Sequence, residues 1–214
     1  MRIGVLISGR GSNLKALIEA CEEPGFRGRI ALVISNRPGA GGLAVAEAAG
    51  IPTLVIDHKE FSTRETFDAE LDRALVQAGV DLVCNAGFMR ILTDGFVEKW
   101  RDRQLNIHPS LLPAFKGLHV HQRALDAGVK ITGCTVHFVR PEMDEGPIVA
   151  QAAVPVLPGD NAETLAARIL EAEHKLYPLA LKLVVEGRAR VTGERVTIDY
   201  DNASVDKPLY VPPL

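Results

Sequence analysis

The stretch Arg2-Ile-Gly-Val-Leu-Ile-Ser-Gly-Arg-Gly-Ser-Asn13 decides the fold class. Residues 3–8 read as a strand. Gly9-Arg-Gly-Ser-Asn13 breaks it, and Leu14, Leu17 and Ile18 then recur at helical spacing. A strand that passes through a glycine loop straight into a helix is the opening unit of a sheet covered by helices.

The pattern repeats outward from there. Residues 30–35 form a second strand, Asn36-Arg-Pro-Gly39 turns the chain, and an Ala-rich helix near 43–49 ends at Gly50. Residues 53–56 make a third strand. A helix starting near Thr63 carries Phe67, Leu71, Ala74, Leu75 and Ala78 on one face and stops at Gly79. Residues 81–85 are near-continuously apolar, as central parallel strands are. Gln104-Leu-Asn-Ile-His108 is a fifth strand, ended by Pro109. A short helix over 121–127 leads to two longer strands, 132–140 and 148–156, joined by a turn over 141–147. Their closeness predicts an antiparallel pair extending the sheet. Asp160 and Glu163 resemble a capping box opening a long helix through Leu165, Ile169, Ala172, Leu176 and Leu183, with a bend expected at Pro178. Residues 190–200 fit a small hairpin. The expected architecture is α/β, with three αβα layers and a mostly parallel sheet carrying an antiparallel C-terminal extension.

A length of 214 residues fits one domain over 1–214, and 47% apolar residues suffice for a full core. The net charge of -3 is spread along the chain, so no basic stripe points to nucleic acid. Cys21, Cys84 and Cys134 are isolated, which argues for a reducing compartment. With neither signal peptide nor membrane span in view, a cytoplasmic protein with no membrane partner is expected.

Parallel sheets bind ligands beyond the carboxyl ends of their strands, where strand order reverses. Three segments fall at such ends. In Gly9-Arg-Gly-Ser-Asn13, free backbone N–H groups, the Ser12 and Asn13 side chains and a positive helix end suit a phosphate. A dinucleotide is disfavoured, because Leu14 stands at the third glycine position and Ser35-Asn36-Arg37 supplies no acid for a ribose. The competing reading is that the glycines only permit a tight turn. On the fifth strand, Asn106 and His108 share one face at the strand exit, an amide donor beside a titratable ring. Asp144, in the turn between the two long strands, could be held beside His108, a contact the sequence leaves open; a carboxylate there would favour the protonated ring and fix its tautomer. Phe88-Met-Arg-Ile-Leu92 follows the fourth strand as an apolar run suited to a flat heterocycle, or to packing on its own core. Arg64 at a helix start suits a ligand anion, and Glu173, on the shoulder of the long helix, suits ribose hydroxyls. Each is also an ordinary surface charge. His119-x-His121, with Cys134 and His137, matches no zinc spacing, and no metal is expected.

Taken together, Ser8-Gly-Arg-Gly-Ser-Asn-Leu14, Ala86-Gly-Phe-Met-Arg-Ile-Leu92, Asn106-Ile-His-Pro-Ser-Leu-Leu-Pro113 and Met143-Asp-Glu-Gly-Pro147 resemble the glycinamide ribonucleotide formyltransferases, folate-dependent enzymes of purine synthesis. The resemblance runs over nearly the whole chain. The Asn-x-His-Pro run with a downstream Asp-x-Gly is shared with methionyl-tRNA formyltransferases and formyltetrahydrofolate hydrolases. The glycine loop, Lys116-Gly-Leu-His119, and the expected lack of a tRNA-binding or regulatory domain point to the ribonucleotide enzymes.

The resemblance implies that Gly11, Ser12 and Asn13 bind a substrate phosphate and Glu173 its ribose. It implies that Arg64, Met89, Arg90, Ile91, Leu92 and Asn106 contact 10-formyltetrahydrofolate as cosubstrate. Asn106, His108 and Asp144 would be the catalytic trio, and Leu112-Pro113 would be cis. Residues 1–100 would form a nucleotide- and phosphate-binding half and 101–214 a catalytic and folate-binding half, in a monomer or homodimer. The resemblance departs on the long helix, where some relatives carry a Lys near the site at which this chain has Leu170, so ligand contacts there are not carried over. A non-catalytic nucleotide or folate module and an NAD-linked oxidoreductase are the competing classes.

Overall fold

The computed structural model describes residues 1–199 and Val211. Its first five strands are β1 (Arg2–Ile7), β2 (Arg29–Ser35), β3 (Thr53–Val55), β4 (Leu82–Asn85) and β5 (Gln104–His108). Two longer strands follow, β6 (Ile131–Phe138) and β7 (Ile148–Pro155), and a hairpin of β8 (Ala189–Thr192) and β9 (Arg195–Ile198) stands apart. The main sheet has the order β3-β2-β1-β4-β5-β6-β7. Its members are parallel as far as β5, and β6 and β7 are antiparallel to their neighbours, as expected.

Helices cover both faces, giving three layers. Helices α1 (Ser12–Cys21), α2 (Gly41–Ala48), α5 (Val120–Asp126) and α6 (Ala162–Val185) close one core around Val5, Ile7, Ile107 and Val136. Helices α3 (Arg64–Gln77) and α4 (Asp94–Lys99) close the other around Leu6, Ile34, Val83 and Trp100. Successive strand residues therefore feed opposite cores, which is why the central strands are apolar throughout.

From β1 the chain builds outward to β2 and β3, then returns to lay β4 on the other side of β1. Strand order reverses between β1 and β4, and the loops leaving their carboxyl ends are the glycine loop and the 86–92 loop. At Gly11 the backbone has φ 80, and a Cβ there would lie 2.4 Å from the Gly42 Cα. The loop can lie against the start of α2 only because that residue is glycine.

Several local expectations are corrected. Helix α4 was not anticipated from sequence; it is six residues long, too short for a periodicity, and starts at a Thr93 cap. The cap of α6 is Asn161, paired with Thr164, rather than Asp160 with Glu163. Asp160 is taken instead by Arg168, whose Nη1 and Nη2 lie 2.7 and 2.9 Å from its two oxygens. As expected, α6 is one long helix that runs past Pro178 to Val185. The expected hairpin is present as β8 and β9, while Tyr200, its expected last residue, lies outside the described residues.

Candidate active site

Strand β5 is covered on both sides, yet it carries polar side chains at its exit. Pairing with β6 sets Asn106 opposite His137 and His108 opposite Thr135, so these four point to one face while Ile107 and Val136 enter the core. His137 is buried, and burial, outweighing the acceptors near it, pushes its pKa down. The neutral ring donates from Nδ1 to the Phe138 carbonyl at 3.0 Å and accepts the Asn106 amide, Nδ2 to Nε2, at 3.2 Å. That chain fixes which end of Asn106 is the donor and leaves its second amide hydrogen available.

His108 is 6% exposed. Its Nε2 faces the Phe115 carbonyl at 3.0 Å, and a carbonyl only accepts, so Nε2 carries hydrogen. Its Nδ1 lies 3.4 Å from Asp144 Oδ2, the contact that sequence alone left open. The same carboxylate oxygen accepts the Gly117 N–H at 2.7 Å. Asp144 has φ 52, a left-handed conformation that Asp adopts more readily than most residues.

The loop after β5 is held from beneath. Thr135 Oγ1 donates to the Ser110 carbonyl at 2.7 Å and accepts the Leu112 N–H at 3.0 Å. Gln151 Nε2 donates to the Leu112 carbonyl at 2.9 Å and to Thr135 Oγ1 at 3.0 Å. The Leu112-Pro113 bond is cis. Ser110 is buried and gives its hydroxyl to the Ala114 carbonyl at 2.6 Å, so it is committed as a loop staple.

At the other side of the switch point, α1 starts at Gly11 with no side-chain cap and no acid in its first turn, which leaves its positive end uncompensated. Asn13 reaches across to α6, its Nδ2 lying 2.7 Å from Glu173 Oε2. Glu173 is 6% exposed; burial pushes its pKa up to about 7, against the opposing pull of the Asn13 bond. Asn13 Oδ1 is buried with no partner, an acceptor waiting for a donor. Sequence assigned Asn13 and Glu173 to different parts of a ligand, and the fold puts them in contact.

The loop after β4 exposes Met89 and Ile91 at 60% and 59%, while Leu92 is buried. Arg64, Ile91, Leu92, Phe96 and Pro141 line a cavity of about 570 Å³. Met89, Arg90 and Asn106, anticipated with them, do not line it. Met89 is instead tied by its N–H to Ser8 Oγ at 2.7 Å, and Ser8 donates to Asn36 Oδ1 at 2.6 Å. Arg90 Nε is buried without a partner.

The thiols stand apart from this chemistry. Burial pushes Cys84 and Cys134 up to about 12 and Cys21 up to about 11, which disfavours a thiolate nucleophile. Among the described residues no three His, Cys, Asp or Glu side chains form a set that holds a metal ion. No helix among them is long and apolar enough to cross a membrane.

The sheet order, the anion-ready α1 terminus and the Asn106, His108 and Asp144 cluster at one carboxyl edge define the class. The chain belongs to the formyl transferase family, whose model matches residues 1–181. It is 44% identical over 199 residues to the phosphoribosylglycinamide formyltransferase of Escherichia coli (strain K12), covering 93% of this chain and 94% of that one. A solved structure named as glycinamide ribonucleotide transformylase 1 from Symbiobacterium toebii superposes with TM-score 0.90 at 52% identity, covering 92% and 93% of the two chains. The trifunctional purine biosynthetic protein adenosine-3 of Gallus gallus is 54% identical over 191 residues. Those residues are 89% of this chain and 19% of that protein, so the chain spans about a fifth of such relatives.

Proposed function

We propose that this protein transfers the formyl group of 10-formyltetrahydrofolate to the amino group of N1-(5-phospho-D-ribosyl)glycinamide, in de novo purine synthesis. The observation that carries the reading is His108 Nδ1 at 3.4 Å from Asp144 Oδ2, beside the oriented Asn106 amide. In this reading Gly11, Ser12 and the free N–H groups of α1 take the phosphate. Asn13, expected on the phosphate, here joins Glu173 on the ribose hydroxyls, because its Nδ2 is given to Glu173 and its unpartnered Oδ1 accepts from a hydroxyl. Arg64 and the residues 89–92, all within residues 1–100, receive the folate together with Asn106, so the two ligands do not divide between the two expected halves. The three free thiols fit a reducing, cytoplasmic setting.

The substrate amine attacks the formyl carbon, and the carbonyl electrons move onto oxygen. The free Asn106 amide hydrogen and protonated His108 stabilise that oxyanion. Because His108 Nε2–H points at the Phe115 carbonyl, the formyl oxygen competes with that carbonyl for it, while Asp144 holds the Nδ1–H side. Collapse breaks the carbon–N10 bond. The attacking nitrogen loses a proton and folate N10 gains one, with the His108–Asp144 pair organising the transfer. No covalent enzyme intermediate is formed, in keeping with buried thiols and a committed Ser110.

The test is formation of the N-formyl product from 10-formyltetrahydrofolate and glycinamide ribonucleotide by purified protein. Turnover is expected. Tight binding of both compounds without formyl transfer would make the protein a binding module and overturn the reading.

A further inference from the structure

The hairpin of β8 and β9 lies beyond the residues 1–181 matched by the family model. Its turn delivers Glu194 to the base of the loop that carries Asp144. There Glu194 Oε2 accepts from Arg140 Nε at 2.8 Å, and Oε1 accepts from Arg101 Nη2 at 2.6 Å. Arg140 is 6% exposed, and its remaining nitrogens are also engaged. Nη2 donates to Asp102 Oδ1 at 2.7 Å and Nη1 to the Val139 carbonyl at 3.1 Å. A planar guanidinium with every nitrogen bound has one orientation.

Arg140 lies just past the end of β6, at the start of the segment running to Asp144. The returning leg of that segment rests on it. Gly146 has φ 122, and a Cβ there would lie 2.9 Å from Arg140 Cγ and 2.2 Å from the Phe138 carbonyl oxygen. The Phe138 N–H closes the base on the Pro147 carbonyl at 2.9 Å. Both legs of the Asp144 loop are therefore seated on one buried side chain, whose orientation depends on an acid in the hairpin.

We infer that Arg140 and Glu194 are positioning residues for Asp144. Glu194 holds Arg140, and Arg140 sets the loop geometry that places Asp144 between His108 Nδ1 and the Gly117 N–H. Neither touches a reacting atom. The inference rests on the role proposed above for Asp144.

The experiment compares wild type with Glu194→Ala, Glu194→Gln and Arg140→Met, the last keeping an apolar stem in place of the guanidinium. Hydrogen exchange is followed at the Phe138 and Gly117 amides, with amides of β1 as internal reference, and formyl transfer is assayed in parallel. Expected are faster exchange at Phe138 and Gly117 with β1 unchanged, and a kcat lowered about tenfold. KM for the ribonucleotide, bound at the α1 side, should stay within about twofold, and Glu194→Gln should recover part of kcat. Unchanged exchange, an equal rise in β1, or an undiminished kcat would each overturn the coupling. Should wild type transfer no formyl group, the proposed function fails on its own, and the exchange comparison alone decides whether hairpin and loop are coupled.

Discussion

Glu173 shows how one buried carboxyl links stability to ligand binding. Its folded pKa of about 7 stands above its ordinary 4.5, so folding takes up a proton at this side chain between those values. Stability therefore falls as pH rises through that window, by ~3 kcal/mol once the carboxyl is ionised, at ~1.4 kcal/mol per pH unit. Glu173→Gln keeps an acceptor for Asn13 without the charge. It should be more stable than wild type by up to ~3 kcal/mol at pH 8 and nearly equal at pH 4, read by urea unfolding at both values. An equal difference at both pH values would assign the effect to packing. The same variant should bind the ribonucleotide more weakly, because a neutral amide accepts hydroxyl hydrogens less strongly than a carboxylate. At this scale much is legible in the sequence: the glycine loop, the Asn106–His108 alternation and the acid at 144. The partners that orient them are not. In the sequence His137 stands out only beside His119, His121 and Cys134, and its bond to Asn106 depends on the β5–β6 register, which no local pattern encodes. Gln151 gave no signal, since a polar residue on a strand is ordinarily a solvent-facing one.

Among the elements, β6 does the most to hold the site together. Thr135 both donates to and accepts from the 109–116 loop at two backbone groups. Thr135→Val keeps the shape and strands the Ser110 carbonyl and the Leu112 N–H, which costs ~1–3 kcal/mol for a buried group left unpaired. We expect a lower urea midpoint at unchanged slope, together with a reduced kcat as the loop carrying Phe115 and Gly117 shifts. A loss of stability with full kcat would mean that the strap serves folding alone. Element types were readable where periodicity had length to express itself, as in α3, α6 and the central strands. Helix α4 escaped because six residues hold under two turns, and its start rests on one Thr93 cap. The α6 cap was misplaced by one residue because Asp160 and Asn161 are both good caps. Arg168, two turns on, claims the Asp, and that contact is visible only once the helix exists.

For the whole molecule, the two cores share the strands between them, so neither face of the sheet can open alone without exposing the other. The one tryptophan, Trp100, is buried in the α3/α4 core and donates to Asp72 Oδ1 at 3.1 Å. Urea unfolding followed by its fluorescence should therefore coincide with unfolding followed by far-UV circular dichroism. Separated transitions would instead indicate two independently folding units. The same shared sheet brings the loops that follow β1, β4 and β5 to one edge, and the loop after the antiparallel β6 carries Asp144 back to His108 there. The direct measurement is the steady-state kcat of formyl transfer to glycinamide ribonucleotide by wild type and by the near-isosteric Asp144→Asn. Asp144 is read as the group that holds His108 for oxyanion stabilisation and proton transfer. Its neutral replacement should then lower kcat by about 10²–10³, the scale of losing one preorganised oxyanion donor, with ribonucleotide KM little changed. A variant turning over at close to the wild-type rate would contradict the account.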